Sequence, residues 1–155
     1  MIKIRIIAIG KDKDVWVTDA CRHFQKLLGR DAEVEFKFLQ AVKPGKLSPA
    51  EIKKREGEVI VGALGKGLTI ALSDGGQSLG SVQFAEILQR WQIESRGTIQ
   101  FLIGGPYGLA DDILSAADHI LSLSPMTFSH QIVRIVLLEQ LYRAYSILRG
   151  TDYHR

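Results

Sequence analysis

The sequence predicts an α/β fold, a mainly parallel sheet with helices on both faces, in a single domain over residues 1–155. Three observations carry that prediction. Apolar residues switch between period-two and helical spacing along almost the whole chain. The strand-like runs are mostly apolar throughout, as strands covered on both faces are. No linker, repeat or low-complexity segment divides the chain.

The elements follow in order. IKIRIIAIG (2–10) is a strand ending in turn residues. VWVTDACRHFQKLLG (15–29) has helical spacing, with Val15, Cys21, Phe24, Leu27 and Leu28 on one face. EVEFKFLQA (33–41) alternates strictly and is a half-buried strand. Ser48-Pro49-Ala50-Glu51 is a capping box with proline at the first helical position, opening a helix to about Leu64. LTIALSD (68–74) and TIQFLIG (98–104) are buried strands around the helix SVQFAEILQRWQIES (81–95). DDILSAA is a short helix and HILSLS (119–124) the last strand. The longest helix runs from about Ser129 to Arg149. Ile132, Val133, Ile135, Val136, Leu137 and Leu138 cover most of its circumference, so it needs burial on more than one side. In so small a domain the second side is expected to be another copy of the chain, a homodimer.

Composition narrows the class. Apolar content of 46% and charged content of 24% are ordinary for a globular protein. One cysteine, Cys21, excludes an intramolecular disulfide and suits a reducing, cytoplasmic setting. No apolar run approaches the roughly 20 residues of a membrane span, and the first ten residues lack a signal-peptide cleavage region. The net charge of +3 is uneven: residues 1–66 hold 14 Lys/Arg against 9 Asp/Glu, and residues 67–155 hold 6 against 8. Lys43, Lys46, Lys53, Lys54 and Arg55 form the densest basic run, either a solvated helix face or a phosphate-facing patch.

Several familiar sites are excluded. No GxGxxG follows the first strand, and Gly62–Lys66 lacks the Walker spacing. The four histidines show no metal-ligand spacing, so no metal is expected. Ala71–Gly75 nearly matches a nucleophile elbow, but five residues separate it from the next helix. What remains is three strand ends rich in small residues: LSDGG (72–76), IGGPYG (103–108) and LSLSPMTFSH (121–130). Glycine lets a group come within contact distance of the main chain. If these strands are neighbours, their loops meet at one sheet edge, beside apolar Leu72, Leu123, Met126 and Phe128. Such a lining suits a flat heterocycle on a ribose without phosphates.

LIGGPYGL (102–109), SLSPMTFSHQIVRIVLLEQLYRAYSI (122–147) and the terminal YHR (153–155) resemble the ribosomal large-subunit methyltransferase H family, the smallest SPOUT-class members. The resemblance runs from KIRIIAIGK (3–11) to the last residue. It implies a C-terminal trefoil knot and a homodimer. It also implies transfer of a methyl group from S-adenosylmethionine to N3 of a pseudouridine in large-subunit rRNA of the assembled ribosome. The family's cofactor pocket falls on Leu72, on Gly105, and on Leu123, Ser124, Pro125, Met126, Thr127 and Phe128. Pro125 and Ser129 depart from the commoner forms.

N3 of a pseudouridine holds its proton at neutral pH, so a base or a cation favouring the imidate is needed. His130, Arg134 and His154 are the catalytic candidates, and Tyr153, His154 and Arg155 the RNA-binding ones. Each has a structural alternative: a helix-start residue for His130, an ion pair for Arg134, a disordered terminus for the tail. The expected site is composite. One chain holds the cofactor, the partner presents Lys/Arg from its N-terminal half to phosphates, and the Tyr153-His154-Arg155 tail closes over the base. The alternatives are a SPOUT methyltransferase acting on tRNA and a non-catalytic ribosome-binding module.

Overall fold

In the computed structural model, which describes residues 1–155, strand and helix alternate without exception. The order is β1 (Ile2–Ile9), α1 (Val15–Leu28), β2 (Ala32–Leu39), α2 (Pro49–Ala63) and β3 (Leu68–Ser78). It continues with α3 (Ser81–Glu94), β4 (Thr98–Ile103), α4 (Asp111–Ala116), β5 (His119–Ser122) and α5 (His130–Arg149). The five strands form one parallel sheet in the order β2-β1-β4-β3-β5. No helix is long and apolar enough to cross a membrane.

Period-two alternation divides the strands' side chains between two cores. Ile4, Ile6 and Ala8 of β1, with Ile99, Phe101 and Ile103 of β4, face α1, α3 and α5. Ile7, Ile9 and Leu102 face the opposite way, against Ile60 of α2 and Ile113 of α4. Nearly continuous apolar strands are therefore required, because both faces are covered. Buried Gln100 is the exception in β4. Its amide donates to Gly65 O at 3.0 Å and accepts from Gly65 N at 2.8 Å, satisfying the chain just after α2.

The helix ends match their sequence signals. Ser48 Oγ accepts from Glu51 N, and Glu51 accepts in return from Ser48 N, which completes the capping box of α2. Ser129 caps α5 by accepting from Ile132 N, and Gly150 ends it at φ +69°. Cys21 lies in the main core, where burial pushes its thiol up to about 11 and disfavours the thiolate.

Two local expectations are corrected. Val15 does not join the buried face of α1; it is 71% exposed at the helix start, beside exposed Trp16. β3 does not stop at Asp74. A register shift between Leu72 and Gln77 lets the strand resume against Leu121 and Ser122 of β5, so the glycine pair lies inside an irregular strand.

Candidate active site

The carboxyl ends of β3, β4 and β5 are adjacent, and the three small-residue loops do meet there. They enclose a cavity of about 650 Å³, which suits a nucleoside-sized ligand. Leu72, Ser73 and Asp74 come from β3 and Gly104–Leu109 from the turn after β4. Leu123, Ser124, Met126, Thr127 and Phe128 come from the β5–α5 loop, and His130 and Val133 from α5. Asp74 is the only carboxylate in the lining, and there is no lysine or arginine.

Local chemistry fixes the β5–α5 loop. Ser122 Oγ donates to Ser124 O at 3.0 Å, and Ser124 Oγ accepts from Met126 N at 3.0 Å, a hydroxyl-stabilised turn. Of the segment 123–128, Pro125 alone does not line the cavity; it sits at the bend of that turn.

The glycine turn is built differently from the sequence expectation. A Cβ on Gly104 would lie 2.6 Å from Gly108 C, so this residue is glycine because the turn closes on itself. A Cβ on Gly105 would lie 2.9 Å from Glu56 Oε1 and 3.3 Å from Ile9 Cγ2. Gly105 lines the cavity as expected, but its missing side chain points away from the cavity, into α2.

The catalytic candidates separate. His130, half-buried at the first turn of α5, lines the cavity. Burial lowers its pKa below the usual histidine value, Arg134 acts in the same direction, and Asp12 opposes them. The ring is therefore neutral at pH 7 and can accept a proton.

Arg134, by contrast, is placed away from the cavity. Its side chain is fully buried, paired with Asp12 at 2.5 Å, and donates to Ile9 O at 3.0 Å and Gly10 O at 2.5 Å. Its guanidinium also lies 5.1 Å from the centre of the Phe38 ring. It ties α5 to the end of β1, and no part of it lines the cavity.

The tail residues are not in this chain's cavity either. Tyr153 donates to Glu139 Oε1 at 3.1 Å, lies under Arg143 at 4.8 Å, and meets Tyr142 edge to face. Arg143 also bonds Glu139 at 2.6 Å and approaches His154 Nδ1 at 3.4 Å. The tail is thus an ordered strap on α5. Residues 151–155 span at most about 18 Å. Gly150 lies 17 residues beyond Val133, or about 26 Å along the helix. In this arrangement the tail does not line the cavity of its own chain. Sequence reasoning could see the reactive residues but not this separation, nor the Glu139–Arg143 pair that holds the strap.

Comparison with known proteins settles the family. The SPOUT methyltransferase family model, described as predicted, matches residues 2–154. This chain belongs to the SPOUT methyltransferase family. A relative from Maridesulfovibrio salexigens, named ribosomal RNA large subunit methyltransferase H, is 43% identical over 155 residues, covering 99% of both chains. One from Gluconacetobacter diazotrophicus with the same name is 40% identical, covering 98% of this chain and 97% of its own. Among solved structures, a probable methylase family protein from Haemophilus influenzae superposes with a TM-score of 0.59 at 15% identity, over 98% of this chain and 70% of its own. A Legionella pneumophila putative methyltransferase, solved with bound SAM, superposes at 0.53 and 16% identity, over 93% of this chain and 66% of its own. These last two show the fold.

Proposed function

We propose that this SPOUT methyltransferase binds S-adenosylmethionine in the three-loop cavity and methylates N3 of a pseudouridine in large-subunit rRNA, on the assembled ribosome. The observation that carries the reading is the cavity itself. Leu72, Leu123, Met126 and Phe128 offer apolar surface, the glycine turn offers main-chain groups, and no cation is present for a phosphate. A nucleoside with a sulfonium fits those terms, and a nucleotide does not. The relatives named for rRNA methylation match along essentially the full chain, which supports the rRNA reading over tRNA.

When bound, the cofactor supplies an electrophilic methyl carbon. The chain supplies alignment and proton handling. The wall from Leu123 to Phe128 holds the heterocycle, and neutral His130 accepts the N3 proton as the nucleophile forms. Arg134 acts only through His130, helping to keep the imidazole uncharged.

The reading includes the C-terminal trefoil knot that the sequence resemblance implies. It also includes a homodimer. Ile132, Val133, Ile135 and Val136 are only half-buried in one chain, and Val15 and Trp16 are exposed nearby on α1. A second copy would cover this apolar strip, and it would bring a tail to a cavity that its own tail does not line. Lys43, Lys46, Lys53, Lys54 and Arg55 have no acidic partner within ion-pair distance. They form the phosphate-facing surface of this reading.

Calorimetry tests the cofactor assignment. S-adenosylmethionine is expected to bind one site per chain, while ATP at the same concentration gives no heat. Binding of ATP in place of S-adenosylmethionine would contradict the assignment.

A further inference from the structure

Glu56 is unused by the mechanism above, yet it is buried at 3% exposure with no cation paired to it. Its Oε2 accepts from Val42 N at 3.3 Å, and its Oε1 has no partner. A carboxyl placed like this costs free energy that an apolar side chain would not. Its placement suggests what it is for. A methyl group added to Gly105 would meet Oε1 at 2.9 Å and Oε2 at 3.2 Å. The carboxyl therefore occupies the space behind the turn that a Gly105 side chain would need, and the front of that turn is the cavity wall. Ile9 Cγ2, 3.3 Å from the same methyl position, lies behind Gly105 as well.

We propose that Glu56 is a positioning residue: its carboxyl is the backstop that sets how far the Gly104–Gly108 turn projects into the cavity. The proposal rests on the reading of that cavity as the S-adenosylmethionine site. Val42, held by the same carboxyl, precedes Lys43, so the basic β2–α2 loop and the cofactor turn are referenced to one group. Burial raises the Glu56 pKa, with the Val42 amide opposing, which fits a carboxyl that works by shape and hydrogen bonding and not as a free charge.

The test is a double-mutant cycle on the full-length protein, read by calorimetric S-adenosylmethionine affinity with melting temperature in parallel. Gly105→Ala should weaken binding about tenfold or more, because the new methyl drives the turn forward. Glu56→Asp withdraws the carboxyl by one methylene, so Glu56→Asp/Gly105→Ala should bind at least about fivefold tighter than Gly105→Ala alone. Glu56→Gln keeps the shape and the acceptor for Val42 N and should stay within about twofold of wild type, whereas Glu56→Ala should lose about tenfold. A merely structural role would lower melting temperatures without moving the affinity of the folded protein. Additive effects in the cycle, or wild-type affinity in folded Glu56→Ala, would overturn the proposal alone. Folded wild-type protein that bound no S-adenosylmethionine would overturn the cavity reading and the proposal together.

Discussion

Arg134→Ala is expected to lower folding stability by about 3–5 kcal/mol, because it leaves a buried carboxylate without its cation. The Asp12 side chain is only 5% exposed, and Ile9 O and Gly10 O would lose their donor as well. For a chain of this length that loss corresponds to a fall of about 10 °C in melting temperature. Arg134→Lys should recover only part of it, since one ammonium cannot reproduce the planar fork that serves three acceptors. Thermal and urea unfolding check both variants. Had Arg134 been a catalytic cation, the alanine variant would keep its stability and lose only turnover. That outcome would restore the role the sequence suggested.

Deleting residues 153–155 is expected to cut methylation by about a hundredfold, the scale of a lost positioning contact, while S-adenosylmethionine affinity stays near wild type. The strap lies on α5 at Glu139 and Arg143, well away from its own cavity, so no cofactor contact is removed. Mixing separates a composite site from a self-contained one. Gly104→Val should disable the cavity by distorting the turn that walls it, because its Cβ would collide with the Gly108 backbone. Combined with the tail-deleted chain, it supplies an intact tail to an intact cavity in mixed dimers. Random exchange makes half the dimers mixed, each with one complete site of two, so activity should return to roughly a quarter of wild type. Continued inactivity of the mixture, or loss of cofactor binding on truncation, would show that the tail serves its own chain.

Much of the fold was legible because local rules and the global structure agree here. The alternation of period two and period 3.6 marked all ten elements, and Ser48-Pro49-Ala50-Glu51 marked a helix start at the right residue. The three glycine- and serine-rich loops gave the cavity its walls, because strand ends in open α/β sheets are where ligands approach.

What stayed hidden depends on contacts distant in sequence. Arg134 bonds Ile9, 125 residues earlier, and in the linear chain nothing distinguishes that from a catalytic arginine one turn after His130. Gly105 reads as a residue bared for a ligand. Its steric partner is a glutamate on α2, a helix whose exposed residues gave no hint of a buried carboxyl. β3 reads as ending at Asp74 because glycine pairs usually stop strands, and only the pairing with β5 carries it on. Exposure of Val15 is a similar case: helical periodicity gives a face, but the first turn lies beyond the core that the face covers.

The reaction itself is tested most directly by mass-spectrometric mapping of ribosomal RNA from cells lacking this protein. A single methylated pseudouridine in large-subunit rRNA is expected to lose its methyl group. Purified protein with S-adenosylmethionine should restore it on assembled ribosomes. An unchanged rRNA methylation map, or a methyl group missing from tRNA instead, would contradict the account.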